Sequence, residues 1–313
     1  MSISEIYRAY QRGREPVEHV SSAVDAESAL LLAVWAHAAG DRDTARACAE
    51  RAATFDGDSE FARLLARYVA EPAGQGVYDS PTAFRAFIRG GGNVELYERT
   101  SAVLRAAHAQ FRPQSVLDVG VGDGLALLSA VPDGLAHLDL VEPSASLLEE
   151  TVAALVSRGV PHRAHRSTVQ QFARDHDGAC WDLVQSSFAM QSLPPADRGE
   201  VLGWIARHTR VFVLVEFDVA EVRCPFEPEW FRRCVSRVER GLREYGPDDR
   251  DLVGLGFVLP VILGHFDTTA RTNYECSIHD WQRELREAGF TDVLARKLHD
   301  YWWEPAYVVE AVR

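Results

Sequence analysis

The chain has 313 residues, 47% of them apolar and 25% charged, with a formal net charge of −13. That length fits one α/β domain carrying an extra helical piece. An acidic surface repels phosphate backbones and anionic lipids, which argues against nucleic acid and membrane as partners. Charges interrupt every apolar run before it reaches the length of a membrane span. The opening "MSISEIYRAYQRGREP" has no apolar core of a secretion signal. Cys48, Cys180, Cys224, Cys234 and Cys276 are odd in number and form no CxxC, as in a reducing, cytoplasmic setting.

Residues 1 to about 70 read as helical. "AESALLLAVWAHAAG" ends at Gly40, a natural stop, and Asp41 can cap "RDTARACAERAATF". The predicted domains are a helical extension over 1–75, serving as lid or dimer contact, and an α/β domain over 76–313. "EPAGQGVYDSP" (71–81) reads as the linker between them. Two more helical pieces flank Gly90, Gly91 and Gly92, which permit a sharp turn or hinge.

From residue 115, short β-branched runs alternate with helical stretches. The strands are "SVLDVG", "HLDLVEP", "HRAHRST", "WDLVQSS" and "RVFVLVEFD". The helices are "GLALLSAVP", "SASLLEETVAALVSRG", "VQQFARDH" and "ADRGEVLGWIARH". This alternation predicts a parallel sheet with helices on both faces and ligands at the carboxyl ends of its strands. After residue 218 the alternation stops. An insertion over about 220–275 holds a long helix and the apolar "DLVGLGFVLPVILGHFD". A helix ending at Gly289 follows, then two strands near 291–298 and 305–312. The fold class is therefore a Rossmann-like, mostly parallel seven-stranded sheet with an N-terminal all-helical extension.

"DVGVGDG" puts Gly120, Gly122 and Gly124 at the first strand's turn, where backbone can approach a ligand and free amides can face it. A dinucleotide loop needs a third glycine at position 125, which is leucine. Asp118 just upstream discourages a pyrophosphate and suits a cation. Here the chain resembles the class I S-adenosylmethionine-dependent methyltransferases of small-molecule type, over about residues 85–217. The resemblance implies S-adenosylmethionine as cofactor, held by Asp118 and the three glycines. It implies that Glu142, followed by Pro143, accepts from the ribose hydroxyls. Thr168 and Val169 would flank the adenine. Gln185, Ser186 and Ser187 would lie beside the methionine moiety and Phe188 near the acceptor. Arg89, Asn93 or Tyr97 could hold the cofactor carboxylate.

Methyl transfer needs alignment and often a base. The fourth-strand segment lacks the D/N-P-P-Y/F tetrad of amine-directed relatives, so a base must come from elsewhere. His265 is favoured, because a neutral imidazole in an apolar site suits proton removal near neutrality. Glu216, at the end of the fifth strand, is the second catalytic candidate; Asp218, His279, His299 and Tyr301 follow. His265 and Asp267, with His279 or Glu275, leave thin support for a metal, and none is assigned. Phe87, Phe188, Trp230, Phe257, Tyr274 and Trp303 are the predicted acceptor-pocket residues, favouring an aromatic or partly apolar small molecule. Arg85 and Arg271 leave a carboxylated acceptor open. The resemblance and a GC-rich coding bias (Lys297 is the one lysine) suggest bacterial specialised metabolism, with a homodimer through the N-terminal helices.

Overall fold

A computed structural model describes residues 1–70, 80–220, 224–267 and 273–313. The linker read at 71–81 lies almost wholly outside these residues, as does Arg271. The chain begins with helices α1 (Ile3–Gln11), α2 (Ala26–Ala38), α3 (Arg42–Phe55), α4 (Glu60–Ala70), α5 (Pro81–Ile88) and α6 (Asn93–Phe111). Next come β1 (Ser115–Val119), β2 (His137–Val141), α7 (Ala145–Ser157), β3 (Arg163–His165) and α8 (Val169–Asp175). They are followed by β4 (Trp181–Ser187), α9 (Pro195–His208), β5 (Thr209–Phe217), α10 (Pro228–Arg243), α11 (Pro247–Val253) and α12 (Leu259–Gly264). Last are α13 (Ile278–Ala288), β6 (Asp292–His299) and β7 (Ala306–Val312). Among the described residues no helix is long and apolar enough to cross a membrane.

The chain divides into two compact units, residues 1–93 with 222–273 and residues 94–221 with 274–313. The first unit is helical and joins the N-terminal helices to the stretch read as an insertion. Its centre is α2, where every residue from Ser28 to Ala36 is buried, as a helix apolar all round requires. Asp25 caps α2 by accepting from the Ser28 N–H at 2.8 Å, and Asp41 caps α3 by accepting from Thr44 at 3.1 Å. Glu239 of α10 caps α4, taking the Ser59 hydroxyl at 2.7 Å and the Phe61 N–H at 2.8 Å. The triple-glycine turn is tied down. The Gly92 N–H donates to Glu244 at 2.7 Å, and the Asn93 amide donates to the Tyr245 hydroxyl at 2.9 Å. Phe87 packs on Phe257 with ring centroids 4.5 Å apart.

The second unit is the sheet, in order β3-β2-β1-β4-β5-β7-β6. β1 to β5 are mutually parallel, and β7 runs antiparallel between β5 and β6. Side chains alternate between two cores. Leu117, Val119, Phe212 and Leu214 pack on the α8, α9 and α13 face. Val116, Val211, Val213 and Val215 pack on the other, with α6 and α7. Period-two alternation with both faces covered is why these runs read as strands. Because β1 to β5 are parallel, Gly120, Glu142, Phe188 and Glu216 come to one edge. Glu216 pairs with Tyr307 at the start of β7, so the aromatic 301–303 segment belongs to that edge too.

One predicted helix is absent. Residues 124–130 form successive turns, not a continuous helix. Side chains take carbonyls that a helix would use. Ser101 donates to Ala126 O at 2.9 Å and Arg105 to Ser129 O at 2.8 Å. Pro132 also has no N–H to offer Leu128, whose carbonyl instead accepts from Arg158.

Candidate active site

The three glycines stand in the turn after β1 for different reasons. All have positive φ, which L side chains rarely adopt. A Cβ on Gly120 would fall 2.3 Å from Ala189 Cβ, and one on Gly124 would fall 2.9 Å from Thr151 Oγ1. These two are bare because the protein itself comes close. A Cβ on Gly122 would meet nothing within 4 Å among the described residues. Gly122 is therefore the glycine that leaves room for a ligand.

Five of the amides expected to be free are engaged within the protein. Gly120 N–H donates to Val141 O at 2.8 Å, Val121 N–H to the same oxygen at 3.4 Å, and Gly124 N–H to Val121 O at 3.1 Å. Gly122 N–H donates to Glu142 Oε2 at 3.0 Å and Leu125 N–H to Asp123 Oδ1 at 3.2 Å. A phosphate cradle needs such amides unpaired. What surrounds the loop instead is carboxyl: Asp118, Asp123 and Glu142 are all buried. Glu142 also accepts from Ser144 N–H at 2.9 Å, and burial raises its carboxyl above the ordinary range. Each of its oxygens keeps a lone pair for a further donor.

Asp118 lies at the same strand level as Gln185 of β4. The Gln185 amide donates to Asp118 Oδ2 at 2.6 Å, and Gln185 Oε1 lies 2.8 Å from His108 Nε2. Burial, with the nearby Glu142 charge, pushes the Asp118 carboxyl up to about 7. Gln185 and Ser186 support the loop from beneath. Both are fully buried with their polar groups engaged, Ser186 Oγ donating to Val119 O at 2.9 Å, so they brace the loop. Val169 is likewise a buried core residue, while Thr168 is exposed and caps α8 by accepting from Gln171 N–H at 3.3 Å. Pro143 is exposed beside Glu142.

The second corner of the edge lies at the ends of β4 and β5. Phe188 takes φ 56°, an outlier for an aromatic residue. Its ring stacks on Phe217 at 4.8 Å and meets Tyr97 edge-on at 5.9 Å; Phe217 in turn stacks on Tyr301 at 5.4 Å. Glu216 is fully buried, and one oxygen accepts from Gln191 N–H at 3.2 Å. Its Oε2 has no hydrogen-bond partner among the described residues. Burial pushes this carboxyl up to about 8, helped by the Glu275 charge and opposed by Arg198. Trp303 donates from its indole to Glu275 at 3.0 Å, and Tyr274 N–H donates to Gln191 O at 2.6 Å. Thus Glu216, Phe188, Tyr97, Tyr274 and Trp303 share one unit.

The other predicted residues belong to the helical unit. His265 ends α12, 6.3 Å ring to ring from Trp230. Phe87 and Phe257 pack together there, and Arg89 is the exposed residue that caps the end of α5. Among the described residues, no three His, Cys, Asp or Glu side chains converge as a metal site. Sequence reasoning missed His108, Gln191 and Arg198. Arg198 is buried, binds Glu284 at 2.7 and 2.8 Å, donates to Tyr274 O at 2.8 Å and lies over Trp281. Nothing in its local sequence marks it, since all these partners are distant in the chain.

Residues 85–220, less than half of the chain, match a family model described as mitochondrial small ribosomal subunit Rsm22. No curated protein sequence matches this chain. Among solved structures it is similar to an O-methyltransferase family protein from Burkholderia thailandensis, at 12% identity and a TM-score of 0.51. That likeness covers 79% of this chain and 62% of the other, so the chain spans less than two thirds of that relative. It is also similar to the S-adenosylmethionine-dependent methyltransferase SibL, at 17% identity and a TM-score of 0.50, over 89% of this chain and 76% of SibL. Strand order and these likenesses agree on a Rossmann-like α/β fold, shared with these two solved structures.

Proposed function

We propose that the chain is an S-adenosylmethionine-dependent methyltransferase acting on a small molecule. One observation carries the reading: the amides of Gly120, Val121, Gly122, Gly124 and Leu125 are spent inside the protein, and carboxyls surround the open position at Gly122. That combination disfavours a pyrophosphate and suits a ligand with a positive charge and hydroxyl donors. S-adenosylmethionine supplies such a charge and an activated methyl group. Glu142 has lone pairs free for ribose hydroxyls, Asp118 offers charge to the cationic end, and Gly122 lets the ligand lie against backbone.

At the other corner, Phe188, Phe217 and Tyr97 offer an aromatic platform to a planar or partly apolar acceptor. Glu216 handles the proton. An acceptor hydroxyl or amine that reaches Oε2 gives a buried, unbonded oxygen the partner it lacks, a gain made only in the complex. His265, with Trp230, Phe257 and Phe87, stays the second candidate base. The finer parts of the reading are an acceptor from bacterial specialised metabolism, a cytoplasmic setting and a homodimer.

A second reading follows from the family match, a ribosomal substrate, which the net charge of −13 opposes. Titration calorimetry of wild type and Asp118→Ala with S-adenosylmethionine, S-adenosylhomocysteine and NAD tests the cofactor. Micromolar binding of the two sulfur compounds, weakened in the variant, supports the reading; binding of NAD instead overturns it. Release of S-adenosylhomocysteine with small-molecule acceptors, or only with ribosomal RNA, separates the two substrates. Consumption of the cofactor without that product would mean a non-methylating reaction.

A further inference from the structure

Behind the glycine loop, three buried side chains form a hydrogen-bonded line whose donors and acceptors do not balance without an extra proton. At one end, His108 Nδ1 lies 2.9 Å from Ala130 O. A carbonyl only accepts, so Nδ1 carries a hydrogen. A neutral imidazole then offers Nε2 as an acceptor. Yet Nε2 faces Gln185 Oε1 at 2.8 Å, another acceptor, because the Gln185 NH2 is turned to Asp118 at 2.6 Å. Two lone pairs at that distance in a buried site repel.

Two arrangements remove the conflict. In one, Nε2 is protonated and donates to Gln185, while Asp118 is a carboxylate. In the other, the Gln185 amide is turned by half a rotation. Its NH2 then donates to a bare Nε2, and its oxygen accepts from a protonated Asp118. Both hold one proton more than neutral histidine plus carboxylate, and both have zero net charge. We infer that His108, Gln185 and Asp118 hold one shared proton, and that the orientation of the Gln185 amide decides which end carries it. His108 is thereby a positioning residue that sets the charge of Asp118.

The surroundings agree. His108 comes from α6, Gln185 from β4 and Asp118 from β1, and all three are buried. The charged group acting on Asp118 from a neighbouring strand is Glu142, which with burial brings its carboxyl to about 7. The carboxyl end therefore competes for the proton near neutrality. The consequence for binding rests on the cofactor reading. A cation beside Asp118 favours the carboxylate arrangement, so the proton leaves Asp118 and appears on His108 Nε2. None goes to solvent, and affinity stays flat across neutral pH. Without His108, the proton must be released.

The test counts protons in the full-length, unliganded protein at pH 7. Nitrogen NMR of His108 and carboxyl carbon NMR of Asp118 should show either a protonated Nε2 or a protonated carboxyl. A bare Nε2 beside a carboxylate overturns the inference. Asp118→Asn should leave Nε2 bare, because an asparagine NH2 completes the line without the proton. Calorimetry with S-adenosylmethionine in buffers of different ionisation enthalpy should show no net proton release in wild type. His108→Leu, or His108→Gln if the leucine variant fails to fold, should release about one proton per ligand at pH 6. Equal release in wild type and variant overturns the relay. If S-adenosylmethionine does not bind, the cofactor reading falls, and the NMR count still decides the shared proton.

Discussion

Two corners of one sheet edge hold a buried carboxyl each, and they are built differently. At the Asp118 corner the carboxyl sits at about 7 and is gripped by Gln185, in a line that continues to His108. At the Glu216 corner it sits at about 8, and one oxygen has no partner among the described residues. The first corner holds its carboxyl in a closed line of hydrogen bonds within the protein, and that line sets its charge. The second is incomplete, which suits a group that changes its bonding during a reaction. Preorganisation favours cofactor binding, whereas an unmet hydrogen bond favours proton transfer.

The sharpest way to separate the corners is Arg198→Ala. Arg198 joins α9 to Glu284 and holds the Tyr274 carbonyl. Breaking this buried pair should cost about 3–5 kcal/mol in denaturant unfolding. Below the lowered melting temperature, acceptor turnover should collapse while cofactor affinity holds. A parallel loss of cofactor affinity would mean that the corners are not independent.

Glu216→Gln comes next. If the carboxyl handles the acceptor's proton, kcat should fall about 100-fold or more with the cofactor Kd unchanged. Stability changes in the other direction. The folded carboxyl sits at about 8 against an ordinary 4.5. Between those values the folded state binds more protons than the unfolded one, so wild-type stability falls as pH rises. The slope is about 1.4 kcal/mol per pH unit at its steepest. Glutamine has no such slope, so the variant should gain on wild type between pH 5 and pH 8. An unchanged difference across that window would mean an ordinary, solvated Glu216.

How far the sequence could be read follows the same division. The strands were legible because both faces are buried and their runs are β-branched. The glycine loop was legible because positive φ and close approach restrict residue choice locally. The fate of its amides was not, because their partners Val141 and Glu142 arrive from the next strand. The helix read after the loop failed for a similar reason: Ser101 and Arg105 of α6 take its carbonyls. Gln185 was placed on its strand, but its polar partners were not legible. Its contacts with Asp118 and His108 are decided by register and by a helix distant in the chain. Local backbone demands leave a signature in sequence, and long-range polar partnerships do not.

Within the first corner, two glycine substitutions divide protein packing from ligand access. Gly120→Ala puts a methyl into Ala189 at φ 72°, and should cost about 2–3 kcal/mol through clash and backbone strain together. Gly122→Ala meets no protein atom at φ 57°, and should cost about 1 kcal/mol from the backbone alone. Cofactor affinity should nevertheless fall at least as far in Gly122→Ala. Chemical unfolding and calorimetry on both variants check this, and equal stability losses would erase the distinction.

The smallest effect tests whether the second corner stores strain. Phe188 holds φ 56° while its N–H donates to Val215 O at 2.8 Å and its ring stacks on Phe217. Phe188→Ala removes the ring and keeps the unfavourable backbone. Phe188→Gly removes the same ring and relieves it. The glycine variant should therefore unfold about 1 kcal/mol later than the alanine variant, even though glycine ordinarily destabilises a strand end. Both should lose acceptor turnover equally if the ring is the platform. Should the alanine variant be the more stable of the two, the positive φ carries no strain. Phe188 would then be held in place by its stacking on Phe217 and Tyr97 alone, and the second corner would owe its reactivity to Glu216.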